Sequence, residues 1–218
     1  MRERVAVYCG TRNLYEKMIP AVRSLMENTD DVKVYLLIED DEYPYDLPVE
    51  VINVSTQEYF PKGSASYDNP WTYMVLMRAA MHRIFPQYDR ILSLDVDTIV
   101  ARDIGELWDI DIDDYYLAGC KELHKSSFNL YVNAGVMLLN LAKLRDGKGD
   151  ELIKALNENR YAFNEQDCIN QLCRGGILEI PSIYNMNSWT EPTTAPKIVH
   201  FAGIKNYMDY PLVEMYKE

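Results

Sequence analysis

Short apolar runs alternating with helical stretches constrain this chain more than any other feature. Val5 to Cys9 is uninterrupted by charge and reads as a buried strand. A polar turn follows, Gly10-Thr11-Arg12-Asn13, and then a helical stretch from Leu14 to Asn28 whose apolar face is Leu14, Met18, Val22, Leu25 and Met26. Val32 to Ile38 reads as a second buried strand ending in Glu39-Asp40-Asp41. Val49 to Val54, behind the breakers Pro44 and Pro48, reads as a third. Elements in this order predict an α/β fold.

After a loop over 61–69, Pro70 suits a first helical position and opens a helix to about Phe85. The strand Arg90 to Leu94 comes next, followed by strand signals at Tyr115 to Ala118 and Tyr131 to Asn140. Helices are expected near Asp150 to Asn159 and Glu165 to Cys173, and short strands at Ile177 to Ile180 and Lys197 to Phe201. No internal repeat, low-complexity linker or domain boundary interrupts the pattern. A length of 218 residues suits one domain with a sizeable core.

Charge narrows the partners. With 34 acidic against 22 basic residues the net charge is −12, which argues against nucleic acid or an anionic membrane surface. An anionic substrate would need a local positive site. The first residues carry too short an apolar run for a secretory signal, and no stretch approaches a membrane span. Cys9, Cys120, Cys168 and Cys173 form no Cys-x-x-Cys pair and lie mostly in apolar segments, as reduced structural thiols would. A cytoplasmic protein is expected.

The strand Arg90 to Leu94 runs into Asp95-Val96-Asp97-Thr98. In extended backbone, residues i and i+2 share a face, so the two carboxylates are expected to converge on one cation or on shared waters. Mg²⁺ or Mn²⁺ suits paired oxygen ligands and usually grips substrate phosphates. A polar strand end turning into solvent gives the same short pattern, so its meaning depends on the rest of the chain.

Four further segments bear on it. Arg78 interrupts the largely apolar run Met74 to Ala80, where a guanidinium needs an anionic partner; Arg83 on the same helix is of the usual solvated kind. Tyr131-Val132-Asn133-Ala134-Gly135-Val136 leads small residues into an apolar run, and Gly135 marks a close backbone approach in a strand. Asn164-Glu165-Gln166-Asp167 gathers carboxylates and amides at a helix N-terminus, where capping and dipole complementarity explain part of the composition. Lys197-Ile198-Val199-His200-Phe201-Ala202-Gly203-Ile204-Lys205 is an apolar strand leading to His, Gly and Lys; a lone strand-end His is more often structural than a ligand.

Taken in order, Ile91 to Val100, Asn133 to Leu141, Gln166 to Asn170 and His200 to Lys205 resemble the family 8 glycosyltransferases, which include glycogenin and bacterial lipopolysaccharide galactosyl- and glucosyltransferases. The resemblance runs from Val5 to about Lys205. It implies a GT-A fold, with a single mixed sheet of Rossmann-like character flanked by helices, and one domain over 1–218, its nucleotide-binding part at about 1–100 and its sugar and acceptor part at about 101–218. It implies transfer of a hexose from a UDP-sugar, UDP-glucose or UDP-galactose, with retention, to a glycan, lipid or protein acceptor, with Mn²⁺ or Mg²⁺ as cofactor. By position it makes Asp95, Asp97 and His200 metal ligands and Lys205 a diphosphate contact. Arg78, Asn133, Glu165 and Gln166 become donor-sugar contacts, with Glu165 and Gln166 the candidates at the reacting carbon. Gly135 and Gly203 belong to the donor site, as do Thr11, Asn13 and Tyr15 toward the nucleoside. An imidazole beside two carboxylates suits Mn²⁺ better than Mg²⁺.

The chain departs from the family pattern in places. Glu165 stands where Asp is usual, Asn206-Tyr207 where Pro-Trp is common, and Tyr15 is displaced by one position. A haloacid-dehalogenase-like phosphatase also uses Asp-x-Asp after a strand, but wants Thr or Val where this chain has Ile99. A nucleotidyltransferase wants a Gly-rich basic loop after the first strand, for which Gly10-Thr11-Arg12 is a poor substitute. A binding module of the same fold, holding nucleotide-sugar or glycan without turnover, is the alternative outside enzymes.

Overall fold

A computed structural model describes residues 3–126 and 129–217. Among the described residues nine strands form, β1 (Arg4–Cys9), β2 (Val32–Ile38), β3 (Glu50–Asn53), β4 (Arg90–Leu94), β5 (Thr98–Val100), β6 (Leu117–Lys121), β7 (Val132–Asn140), β8 (Ile177–Ile180) and β9 (Ile198–His200). The helices are α1 (Tyr15–Asn28), α2 (Met77–Ile84), the one-turn α3 (Leu141–Lys143), α4 (Gly149–Glu158), α5 (Asn164–Leu172) and the short α6 (Pro211–Glu214). Seven strands make a mixed sheet in the order β3-β2-β1-β4-β7-β6-β8, and β5 pairs with β9 in a separate two-stranded sheet. Within the large sheet β7 alone runs against its neighbours, pairing antiparallel with both β4 and β6.

The strands are apolar on both faces because both faces are covered. On one side Val5, Val7, Leu37, Ile91, Met137 and Leu139 pack with α2, α4 and α5 residues such as Met77, Leu152 and Ile169. On the other, Ala6, Tyr8, Leu36, Leu92 and Leu138 pack with α1 and with Trp108. A third cluster of Ile99, Phe201, Tyr207, Val213 and Tyr216 anchors the C-terminal segment under the small sheet.

Connectivity then places the ligand end. From β1 the chain winds through β2 to the β3 edge and returns to pair β4 on the other side of β1. In open α/β sheets such a reversal leaves a crevice at the carboxyl ends of the two strands. Here it lies between Cys9-Gly10-Thr11 and Leu94-Asp95.

Two expected boundaries are corrected. Pro70 does not begin a helix. The side-chain carbonyl of Asn69 accepts from the Trp71 N–H at 2.8 Å and its amide donates to the Thr72 carbonyl at 3.1 Å, forming a separate turn. Thr72, at φ 70°, then caps a 3₁₀ turn from Tyr73 to Leu76, and α2 starts only at Met77. The strand expected at Tyr115 to Ala118 lies later, at Leu117–Lys121, because its register is set by β7 and β8.

Trp108 closes the α1 side of the core, fully buried, with its indole N–H donating to the Val5 carbonyl at 3.1 Å. Trp108→Ala should cost about 3–5 kcal/mol of stability, seen as a lower urea midpoint with an unchanged denaturant slope.

Candidate active site

Asp95 leaves the end of β4 with its N–H donating to the Gly135 carbonyl of β7 at 2.9 Å. A turn follows at once, since the Thr98 N–H and hydroxyl both donate to the Asp95 carbonyl, at 3.2 and 2.7 Å. The two carboxylates therefore converge through a turn, not through the extended backbone that the i, i+2 spacing suggested. Antiparallel pairing of β5 with β9 sets Thr98 opposite His200, and the Phe201 N–H donates to the Asp97 carbonyl at 2.9 Å. His200 Nε2 is thereby held 3.2 Å from Asp97 Oδ1 and 3.8 Å from Asp95 Oδ2. One ligand atom from each of the three residues lies within 4.8 Å of the others.

Gly135 is required for this approach. A Cβ at that position would sit 2.1 Å from His200 Cε1, inside the imidazole. The ring is oriented from its far side by Asn185, which is fully buried and accepts from Nδ1 at 2.9 Å. Asn185 has its amide fixed in turn, because its Nδ2 donates to Asn133 Oδ1 at 2.9 Å. With Nδ1 engaged, Nε2 is the nitrogen turned toward the carboxylates, the orientation a ligating imidazole needs. Two carboxylate oxygens and an imidazole nitrogen suit a divalent ion of the Mn²⁺ type.

Below the carboxylates Arg78 is buried, and every arm of its guanidinium is used. Nε donates to Ser93 Oγ at 3.1 Å, Nη2 to Asp95 Oδ1 at 2.5 Å, and Nη1 makes a close ion pair with Glu165 Oε1. The buried cation thus found the anionic partners that its apolar surroundings demand. Arg83, on the same helix, is exposed and pairs with Asp150. At the N-terminus of α5, Gln166 Oε1 accepts from the Ala134 N–H at 2.8 Å and its amide donates to the Tyr131 hydroxyl at 3.0 Å. Asn133 is fully committed: its Oδ1 accepts from Gly135 N–H and Asn185, and its amide donates to Glu122 at 3.0 Å and Gln166 at 3.3 Å.

The first loop forms a separate network at the ends of β1 and β2. Thr11 donates to Asn13 at 2.5 Å, and Arg12 pairs with Asp40 at 2.7 Å. Tyr15 is buried, its hydroxyl donating to Asp40 at 2.9 Å and accepting from the Glu39 N–H at 3.0 Å. Its side chain thus holds the acidic loop in place. Past β9, a turn closed by Ile204 N–H to the Phe201 carbonyl at 2.9 Å has Gly203 at φ 75°, the left-handed position that glycine fills in a type II turn. This turn presents Lys205 in solvent.

Asn185, Glu122 and Ser93 were not singled out by sequence, and Tyr207 was noted only as a departure from the family pattern. Each acts at one remove, by orienting His200, Asn133, Arg78 and, through a 3.3 Å bond to the Val96 carbonyl, the Asp95–Asp97 turn. The replacement of Trp by Tyr at position 207 was the one available hint.

Electrostatics follow burial and pairing. Burial alone would lower the His200 pKa, yet the Asp97 and Asp95 carboxylates hold it above its ordinary value. Burial pushes Glu165 up to about 7 even though Arg78 opposes the shift. A group whose folded pKa is raised contributes stability that is complete below its unfolded value and is lost as pH rises through the folded one. Both residues therefore make the protein less stable from about pH 4.5 upward for Glu165 and from about 6.5 upward for His200. Urea unfolding at pH 5 and pH 8 should show this fall, and Glu165→Gln should flatten it by about 2–3 kcal/mol; an unchanged slope would count against the raised carboxyl.

Residues 6–206 match the family described as glycosyl transferase family 8. A Haemophilus influenzae protein is 30% identical over 141 residues, covering 58% of this chain and 42% of that one. The lipopolysaccharide 1,2-glucosyltransferase of Escherichia coli is 27% identical over 164 residues, covering 59% and 48%. The chain thus spans less than half the length of these relatives. Among solved structures, a galactosyltransferase LgtC in complex with donor and acceptor sugar analogues superposes with a TM-score of 0.74 at 16% identity, covering 98% of this chain and 95% of that one. The mixed α/β sheet is that of a GT-A glycosyltransferase, and with nearly its whole length matched to the family, the chain belongs to glycosyl transferase family 8.

Proposed function

We propose that this protein is a metal-dependent retaining hexosyltransferase that moves a hexose from a UDP-sugar, UDP-glucose or UDP-galactose, to a glycan, lipid or protein acceptor. The observation that carries the reading is the Asp95, Asp97, His200 cluster at the sheet reversal, one hydrogen bond from the Arg78–Glu165 pair. A divalent ion held by the three residues, Mn²⁺ before Mg²⁺, would supply positive charge against the diphosphate. Lys205 gives a second cation for the leaving group, and Gly203 shapes the turn that carries it. Fixed local charges of this kind let a chain of net charge −12 hold an anionic donor.

In the single-domain organisation proposed here, residues from about 1–100 take the nucleotide, with Thr11, Asn13 and the loop braced by Tyr15 at the nucleoside end. Residues from about 101–218 take the sugar and acceptor, with Gly135, Glu165 and Gln166 at the donor hexose; Asn133, expected there as a direct contact, has its amide already used and instead holds Gln166 and Asn185 in place. Arg78 sets the orientation of Asp95 and Glu165. Glu165 is buried and ion-paired, and Gln166 is a neutral amide whose oxygen already accepts from Ala134. Neither is poised as a nucleophile, which supports a front-face path in which the leaving phosphate takes the acceptor proton and the side chains only hold the sugar. Among the described residues no helix is long and apolar enough to cross a membrane, and the reduced-type cysteines support a cytoplasmic site of action.

With Mn²⁺ and UDP-glucose or UDP-galactose, the protein should release UDP. EDTA should abolish release and Asp97→Asn should lower it by about 100-fold or more; full activity in chelator would overturn the metal assignment. Donor binding with no turnover across a donor and acceptor panel would favour the binding module. The supports behind His200 can be tested by metal affinity alone. Gly135→Ala and Asn185→Ala should each weaken Mn²⁺ binding by about 10–100-fold in calorimetry, with far-UV circular dichroism unchanged.

A further inference from the structure

Beside the catalytic side of α5 lies a cavity of about 550 Å³, lined in part by Lys125, Tyr131, Tyr161, Asp167, Gln171 and Arg174. Its size is that of a small-molecule site, and its lining is divided between polar and apolar surface, with cations, a carboxylate, an amide and phenols among the groups it presents. That set suits a ligand covered in hydroxyls, each able to donate and accept. The wall nearest the proposed reaction centre is shared with it. The Tyr131 hydroxyl donates to Asp167 at 2.5 Å, accepts from Lys125 at 2.9 Å and accepts from Gln166 at 3.0 Å.

An aromatic lip adjoins this cavity. Trp71 and Phe163 are each 47% exposed, and their rings lie 6.2 Å apart at 29°. Lys125 Nζ sits 3.2 Å from the Phe163 centroid and 4.5 Å from that of Tyr131, joining lip to cavity. Phe163 directly precedes Asn164, held at φ 48°, and then Glu165 and Gln166. Large exposed aromatic surface rimmed by polar groups marks a binding groove. The negative face of an aromatic ring attracts the electron-poor C–H face of a sugar ring.

We propose that the Trp71–Phe163 lip and the cavity joined to it through Lys125 form a carbohydrate subsite for the acceptor, gripping sugar units beyond the one that carries the reacting hydroxyl. One sugar ring stacks on the lip, while hydroxyls of its neighbour meet Asp167, Gln171 and Arg174. The acceptor is on this account a glycan or glycan-bearing molecule. The assignment rests on the transferase reading above, and the test separates the two.

Lactose, cellobiose and maltose are titrated into the protein by saturation-transfer NMR. At least one should bind wild type, and binding should fall about three- to tenfold in Phe163→Ala. It should also fall in Gln171→Trp, which fills the cavity from an exposed helix position. In turnover assays with the same disaccharides, both variants should raise acceptor KM by a similar factor. UDP release in the absence of acceptor should stay within about twofold of wild type, because neither residue touches the donor side. The proposal is overturned if no disaccharide binds wild type, if neither variant alters binding, or if both variants lose acceptor-independent UDP release as well. Saccharide binding that is lost in both variants, in a protein that never releases UDP, would defeat the transferase reading and with it the acceptor role.

Discussion

The site depends on one buried cation. Arg78 sits within apolar surroundings on α2 and reaches Ser93 on β4, Asp95 at the end of β4 and Glu165 on α5. A guanidinium has five donors in a fixed plane, so three partners on two other elements can be met only if those elements take one relative position. Burying that charge is costly unless each partner is in place. The same pairing keeps Asp95 directed at His200 and keeps Glu165 from acting as a free carboxylate.

Above Arg78 a chain of amides does comparable work. Asn133, Asn185 and His200 come from β7, a loop and β9, and each fixes the next by a single hydrogen bond. Gly135 lets the imidazole come close to β7. Two motifs that lie far apart in sequence, Asn133-Ala134-Gly135 and His200-Phe201-Ala202-Gly203, thus turn out to be halves of one contact. The first supplies the space and the orientation, and the second supplies the imidazole and, through the Gly203 turn, Lys205.

Much of this was legible in the residues. The buried strands Val5 to Cys9 and Val32 to Ile38 are recognisable because a strand covered on both faces leaves an unbroken apolar run. Arg78 stood out because a charge inside such a run must be neutralised. Boundaries governed by side-chain capping were harder. Asn69 and Thr72 delayed α2 past Pro70, and nothing in local propensity ranks one cap above another. Asn185 was invisible, since its importance comes entirely from which two side chains it happens to join.

The sequence by itself determined the α/β alternation, the family motifs and the set of ionisable residues that compose the site, because apolar periodicity and residue type are local properties. Tertiary structure alone decided how those residues meet. Asp95 and Asp97 converge through a turn whose geometry is set by β5 pairing with β9, and His200 reaches them across about a hundred residues of chain. The Trp71–Phe163 lip likewise joins a loop before α2 to the start of α5. Such contacts depend on strand order and register, which are fixed by packing over the whole sheet and leave no mark in any one segment.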